Sequence, residues 1–320
     1  MNNTHTFIGN QRLFSLLKQR KEQENGNHAY CLVGQEHCGK TTMVMHLAAY
    51  FLETTIQKVP VHPDFLHLTQ EINVKTKKTK KHIDVEQIRS AKHIVNTKPF
   101  VGKYRIVFIE SAERMNTNAA NALLKTLEEP ASGNLIFLTT KNNEALTQTI
   151  LSRCQTYHLT QTPTLDIANH LNSVYGVDQD IAMQKAKESR GLPGLAINWA
   201  RDDDAYTTYK KYITQFHALA GEPFFQKIKD TEELFGDKTD HIKDRQRLVT
   251  ILEYWQLVLH DYAQTLSKKS TSNIYNLTPH KDWTYTAIGD VYDRIEQAKK
   301  LLHKNIHPRL LIETILLTIP

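Results

Sequence analysis

One eight-residue loop limits the folds open to this chain more than any other feature. Residues Gly34 to Thr41 fit the pattern G-x-x-x-x-G-K-[S/T] in full. The apolar run Ala29 to Val33 precedes the loop and predicts a strand, and helically spaced apolar residues from Thr42 to Leu52 follow it. Strand, loop and helix in this order predict a βα unit, which belongs in a parallel sheet covered by helices.

The residue types of this loop are those that bind the phosphates of a nucleotide. Backbone N–H groups of such a loop face the phosphates, a lysine neutralises their charge, and a hydroxyl binds magnesium. The candidate nucleotide-binding residues are Gly34, Gly39, Lys40, Thr41 and Thr42. Whether ATP occupies the loop stays open, because His37 stands where many such loops carry glycine and its side chain is expected to crowd the site. A chance match in an unrelated strand–helix turn is the alternative.

A second predicted strand, Arg105 to Ile109, ends at the acidic residue Glu110. In nucleotide sites a carboxylate at this place helps to hold magnesium, and the next residue is the carboxylate that polarises the attacking water. Glu110 is therefore a candidate magnesium ligand together with Thr41, whereas Ser111 cannot act as a general base near neutral pH. Glu113 is expected to point elsewhere. The sequence predicts impaired hydrolysis, and the alternative is a buried strand with a polar cap.

The remaining elements suggest three domains. A helix from Asn116 to Glu129, stopped by Pro130, and a strand at 135–138 continue the alternation of strands and helices through residues 1–162. After Thr164 strand patterns nearly vanish, and three short helices predict a lid over residues 163–204, with Asp202–Asp204 as a surface linker. Residues 205–320 are predicted to be helical throughout.

Charge and cysteine content exclude some classes of protein and leave others open. A net charge of +6 and a pI near 9.0 are compatible with a nucleic-acid partner without establishing one. Lys75 to Lys81 holds five lysines in seven residues, and it either contacts DNA phosphates or forms a solvated loop. The three cysteines are scattered and form no Cys-x-x-Cys pair, so neither a disulfide framework nor a zinc site is expected.

The chain carries no pattern that predicts a membrane location. No apolar run approaches the ~20 residues that span a bilayer, and the polar segment Met1 to Asn10 lacks the apolar core of a signal peptide. A cytoplasmic protein that contacts no membrane is expected.

Several further segments form recognisable motifs. They are Lys98–Phe100 with Gly102–Tyr104, then Asn121–Pro130 and Thr149–Cys154, with His62–Asp64 and Pro308–Glu313 in support. These segments resemble the clamp-loader branch of the AAA+ ATPases, and within it the delta′-type subunits of bacterial DNA polymerase III. The second segment is long and contiguous, so chance explains it poorly. The resemblance implies an AAA+ P-loop domain, a helical lid and an all-helical collar domain for oligomerisation.

The resemblance also implies a role and partners. Clamp loaders are five-subunit rings that open the sliding clamp and place it on primed DNA as part of the DNA-directed DNA polymerase III holoenzyme. A delta′-type subunit is the stator beside the gamma/tau and delta subunits. The arginine of its Ser-Arg-Cys segment, here Arg153, reaches into a neighbour's ATP site as an arginine finger. Its own ATPase activity is then expected to be weak or absent, with magnesium bound only alongside nucleotide.

Three departures from the motor subunits agree with a delta′-type chain. Ser111 replaces the catalytic carboxylate, no zinc module is present, and Leu195 stands near the place where motors carry a phosphate-sensing arginine. The complete phosphate loop nevertheless keeps an active gamma/tau-like ATPase as an alternative. The basic pI and the lysine run keep a non-enzymatic nucleic-acid-binding module as another.

Overall fold

The structure is a computed structural model. It describes residues 7–22, 27–71, 80, 82–95, 97–128, 132–235, 241–267, 273–302, 304 and 306–320. The chain divides into two compact units, residues 1–198 and residues 199–320. Apart from Lys80, the lysine run at 75–81 lies outside the described residues. Lys80 itself is paired with carboxylates of the chain, 2.8 Å from Glu71 and 3.1 Å from Asp84.

The first unit is built on the predicted parallel sheet. Five strands lie in the order β2-β3-β4-β1-β5, and every neighbouring pair is parallel. They are β1 (Ala29–Val33), β2 (Phe65–Leu68), β3 (Arg105–Ile109), β4 (Asn134–Thr140) and β5 (Gln155–His158). The three central strands β1, β3 and β4 are buried along their whole length, which explains why their sequences are continuous apolar runs.

Helices cover both faces of this sheet. They are α1 (Gln11–Glu22), α2 (Lys40–Phe51), α3 (Val85–Val95), α4 (Thr117–Glu128) and α5 (Gln148–Leu151). Leu47 of α2 and Phe108 of β3 belong to the buried cluster on one face, and Leu123 of α4 and Ile109 of β3 belong to the cluster on the other. Alternate residues of one strand thus enter different cores, as the pleat of a strand requires.

Two elements of this unit are absent from the sequence prediction. Strand β5 is an edge strand of four partly exposed residues, Gln155–His158, so it has no apolar run. Helix α5 has only four residues, Gln148–Leu151, which is too short for an amphipathic pattern. Both lie beside Arg153, and they decide where that residue stands.

Three helices follow the sheet as predicted. They are α6 (Thr164–Tyr175), α7 (Gln179–Glu188) and α8 (Pro193–Arg201). The predicted linker at Asp202–Asp204 is wrong, because the Asp202 side chain caps the next helix and accepts hydrogen bonds from the backbone N–H groups of Asp204 and Ala205. Aspartate at that place is a helix start, since its carboxylate satisfies N–H groups that have no intrahelical partner. The division at 162 and 204 into three domains stays a prediction.

The regular elements of the second unit, over the residues that the structure describes, are helices joined by loops. Its helices are α9 (Asp203–Ala218), α10 (Phe224–Thr231), α11 (His241–Leu266), α12 (Tyr285–Leu302) and α13 (Pro308–Leu316). Aromatic rings form much of its core: Phe216 lies 5.1 Å from Trp255, and Tyr262 lies 5.3 Å from Trp283, between ring centroids. Over the described parts of both units, no helix is long and apolar enough to cross a bilayer.

A buried ion pair fixes the amino-terminal edge of the sheet. Asp64, which is 1% exposed, accepts hydrogen bonds from the backbone N–H groups of Phe100 (2.6 Å) and Val101 (2.8 Å) and from Arg105 Nη2 (2.9 Å). Burial by itself raises the pKa of Asp64, but the bonds from Phe100, Val101 and Arg105 outweigh burial and hold that pKa below its ordinary value. One carboxylate therefore holds the 97–104 loop against β2 and β3.

Replacing Asp64→Asn is expected to lower the free energy of unfolding by about 3–5 kcal/mol, because Arg105 then stays buried without a counter-charge. Denaturant unfolding of the full chain measures this, with the exposed Asp166→Asn as a control expected to stay within about 0.5 kcal/mol. Because the folded pKa of Asp64 is depressed, its stabilisation is present above the unfolded pKa of about 3.9 and is lost as the pH falls through the folded pKa. Equal losses in the two variants would contradict this role.

Candidate functional site

The phosphate loop joins the carboxyl end of β1 to the start of α2. Gly39 precedes α2 with φ 97°, a left-handed conformation that glycine adopts without strain. Gly34 stands close to another side chain of the loop, since a Cβ there would lie 2.8 Å from Cys38 Sγ. The two glycines of the sequence pattern are therefore required by backbone conformation and by close packing, respectively.

Lys40 lies inside the loop. Its Nζ donates hydrogen bonds to the carbonyl oxygens of Gly34 (2.6 Å) and Gln35 (2.7 Å). Burial lowers the pKa of Lys40, and the neighbouring charges of Cys38 and Glu113 act in the opposite direction. These two carbonyl oxygens therefore hold the ammonium group within the loop, where a bound phosphate would need a positive charge.

The two predicted magnesium ligands meet. Thr41 Oγ1 donates a 2.5 Å hydrogen bond to Glu110 Oε1, although 69 residues separate them in the chain. Hydroxyl and carboxylate oxygens are the ligand types that Mg²⁺ prefers, so the pair fits the metal. Thr42 follows Thr41 in the first turn of α2. In the described parts of the chain, no group of three or more His, Cys, Asp or Glu side chains is placed to hold a metal ion.

His67 lies beside the Thr41–Glu110 pair, although no sequence pattern predicts it there. Its Nε2 lies 3.0 Å from Glu110 Oε2, and its ring stacks on Phe108 with centroids 4.7 Å apart. The hydrogen bond with His67 is the largest influence that lowers the pKa of Glu110, burial opposes it, and the bond from Thr41 adds to it. Only the register of β2 with β3, which pairs His67 with Phe108, brings the imidazole here.

Ser111 directly follows Glu110 at the carboxyl end of β3, and its place in the position of a catalytic carboxylate stays a prediction. It has a left-handed backbone (φ 52°), and its N–H donates to Thr139 Oγ1 at 3.1 Å. Glu113 lies in the short 3-10 turn after β3. Neither of its carboxylate oxygens has a hydrogen-bond partner among the described residues. The expectation that Glu113 points elsewhere stays a prediction.

His37 stands at a position whose backbone conformation favours glycine. Its φ is 62°, in the left-handed region, while its side chain is exposed. Its carbonyl oxygen accepts a 2.8 Å hydrogen bond from the N–H of Gly194 at the start of α8. A Cβ on Gly194 would lie 2.9 Å from that oxygen, so the residue that meets the loop here is Gly194, one position before Leu195, and it presents no side chain.

Arg153 lies in the turn between α5 and β5. Its Nη2 and Nε are 2.7 Å and 3.0 Å from Glu128 Oε1, and its Nη1 donates to the carbonyl oxygen of Thr149 at 3.0 Å. The Arg153 side chain is 35% exposed. The guanidinium is therefore at the surface of the first unit and is not enclosed by its own fold.

The sheet separates Arg153 from the phosphate loop of its own chain. Strands β1 and β5 are parallel and pair Tyr30 with Gln155. Gly34 follows the carboxyl end of β1, whereas Arg153 precedes the amino end of β5. Six residues at about 3.3 Å each place the two backbone positions ~20 Å apart. Arg153 therefore lies on the sheet edge opposite the phosphate loop of its own chain.

The amino-terminal edge also carries an exposed apolar tip. Phe100 is 82% exposed and Val101 is 67% exposed, although their backbone N–H groups are tied to buried Asp64. Large apolar side chains held outward on a fixed loop are typical of a contact with another protein. No sequence pattern predicts that this tip is exposed, although the segment is part of the resemblance to clamp-loader subunits.

A polar groove runs between α3 and α4. Its lining residues are Val85, Arg89, Asn118, Asn121, Ala122 and Lys125. The cationic side chains of Arg89 and Lys125 and the amide side chains of the two asparagines can all donate hydrogen bonds to phosphate oxygens.

Comparisons with known proteins agree with one another. The profile of the family described as DNA polymerase III, delta subunit, matches residues 9–163. The DNA polymerase III subunit delta′ of Escherichia coli K12 is 26% identical over 205 residues, which cover 60% of this chain and 60% of that protein. The subunit delta′ of Bacillus subtilis 168 is 24% identical over 334 aligned positions, which cover 96% of this chain and 94% of that protein.

A solved structure shows the same fold. The DNA polymerase III gamma subunit-related protein of Thermotoga maritima superimposes with a TM-score of 0.55 at 18% identity, and the match covers 94% of this chain and 97% of that one. At this identity the likeness concerns the fold alone. It confirms an α/β domain with a parallel sheet followed by helices.

The Thr41–Glu110 contact predicts a magnesium-dependent part of nucleotide binding. Glu110→Gln is expected to weaken binding of magnesium–ATP roughly tenfold, because an amide oxygen carries no charge for the metal. Binding of ATP in excess EDTA is expected to stay unchanged. Isothermal titration of the purified chain measures both, with Ser111→Ala as a control that changes neither. Equal weakening with and without magnesium would show that Glu110 serves the loop in another way.

Proposed function

We propose that this chain, which is similar to the delta′ subunits of DNA polymerase III, is a clamp-loader stator that lends Arg153 to the ATP site of a neighbouring subunit. The position of Arg153 carries this proposal. Its guanidinium is exposed at the sheet edge opposite its own phosphate loop. We propose that the chain has this role in the cytoplasm, in a ring with gamma/tau and delta subunits.

The chemistry supplied by Arg153 is electrostatic. When water attacks the γ-phosphorus of the neighbour's ATP, the bond to the bridging oxygen breaks and ADP leaves with the added charge. A guanidinium brought against these oxygens stabilises that charge, and arginines supplied in this way accelerate related hydrolyses by about 10³–10⁵. Arg153 transfers no proton and forms no covalent bond.

The chain's own site fits nucleotide binding better than hydrolysis. Lys40 would face the phosphates, and Thr41 with Glu110 would hold magnesium, which supplies charge neutralisation when it is bound. Ser111 offers no carboxylate to orient a water molecule, and Gly194 brings no side chain from the lid. We therefore propose that any nucleotide bound here has a structural role and is hydrolysed slowly or not at all.

An active gamma/tau-like motor is the second candidate. The complete loop and the Thr41–Glu110 contact favour it. A motor would release phosphate as a purified chain and lose this activity in Lys40→Ala, whereas a stator gives no turnover in either form.

Contacts with the other partners follow from exposed surfaces of each unit. In the first unit, the Phe100–Val101 tip is proposed to touch the sliding clamp, because it lies at the sheet edge away from the nucleotide site. The groove with Arg89 and Lys125 is proposed to meet phosphates of primed DNA. In the second unit, Leu310 of α13 and Leu317, which directly follows that helix, are exposed and suit assembly of a helical collar.

Replacing Arg153→Ala is expected to lower DNA-stimulated ATP turnover of a reconstituted loader by about 10³-fold or more. Assembly of the ring should survive, since the ion pair with Glu128 is exposed and contributes little to folding. Steady-state phosphate release measures turnover, and gel filtration checks assembly. Unchanged turnover in a fully assembled ring would remove the finger role.

Replacing Phe100→Ser is expected to weaken binding of the loader to the clamp by roughly 30-fold, the effect of losing one central aromatic contact. Surface plasmon resonance with immobilised clamp measures the affinity. Leu165→Ser, which alters another exposed apolar residue of the same unit, serves as the control and should bind as the wild type does. Equal affinities of all three proteins would place the clamp contact elsewhere.

A further inference from the structure

Glu128 stands at an unfavourable place for a carboxylate. It lies two residues before Pro130 and hence near the carboxyl end of α4, where the helix dipole is negative and acidic side chains are disfavoured. Its partner is the guanidinium of Arg153, 25 residues away in the chain and also at the surface. An exposed ion pair of this kind contributes little to stability, so folding alone does not account for the pairing.

The contacts leave part of the Arg153 guanidinium uncovered. An arginine has five N–H donors in a rigid planar fork. Glu128 Oε1 covers the flank formed by Nε and Nη2, and the Thr149 carbonyl oxygen accepts from Nη1. The Ser152 hydroxyl oxygen lies 3.4 Å from Nη1, at the limit of a hydrogen bond. Among the described residues no further acceptor contacts the guanidinium, so the second N–H of Nη2 is left to bind a phosphate oxygen.

We propose that Glu128 is a positioning residue for Arg153, and this inference rests on the proposed function. By holding one flank of the guanidinium, Glu128 limits the rotamers of a long side chain and keeps the end of the fork turned outward. The residue touches neither the neighbour's triphosphate nor the attacking water. It acts only through the orientation of Arg153.

The geometry predicts a specific kinetic effect. Glu128→Ala in a reconstituted loader is expected to lower kcat for ATP roughly tenfold, because small misplacements of a catalytic group cost one to two orders of magnitude. The KM for ATP should not change, since Arg153 acts after the nucleotide has bound. Glu128→Gln keeps the shape of the side chain without its charge and should give a smaller loss. Glu144→Ala removes another exposed carboxylate of this unit and should leave kcat unchanged.

A double-mutant cycle separates positioning from a general structural effect. In the Arg153→Ala background, Glu128→Ala is expected to cause no further loss, because its effect passes through the arginine alone. A further loss of kcat in the double mutant overturns the proposal. An unchanged or increased kcat in Glu128→Ala also overturns it, provided that Arg153→Ala is inactive. If Arg153→Ala itself leaves turnover unchanged, the finger role fails as well, and that outcome is distinct from the others.

Discussion

The parallel pairing of β5 with β1 places the phosphate loop and Arg153 on opposite edges of the sheet. In a parallel sheet all carboxyl ends lie on one edge, so the loop after β1 is on that edge while the residue before β5 is on the opposite one. The loop and Arg153 are therefore separated by the length of a strand. The role proposed for Arg153 at the nucleotide of a neighbouring subunit depends on this separation.

Three carboxylates of the first unit show how burial sets the role of a charge. Asp64 is buried with Arg105, so the loss of either partner leaves an unpaired charge in the protein interior. Glu110 is partly buried and shares its oxygens between Thr41 and His67. Glu128 is half-exposed against Arg153, where water and salt weaken the attraction. Of the three, only the Glu128–Arg153 pair is exposed enough to contribute little to folding.

Much of the sheet and the loop chemistry was predictable, because each depends on residues that are close in the chain. The buried strands β1 and β3 are continuous apolar runs, and the loop has a fixed spacing of glycine, lysine and threonine. Strand β5 escaped prediction because an edge strand is stabilised by backbone pairing on one side and needs no apolar run. Helix α5 escaped prediction because four residues are too few for an amphipathic pattern.

The amino-acid sequence alone determined the residue types at the phosphate loop, the serine in place of a catalytic carboxylate, and the likeness to delta′ subunits. These follow from local order along the chain. The tertiary structure alone decided that His67 meets Glu110, that Glu128 holds Arg153, and that Arg153 faces away from its own loop. Each of these depends on strand register or on contacts between residues 25 or more positions apart, and such contacts form only when the sheet has assembled.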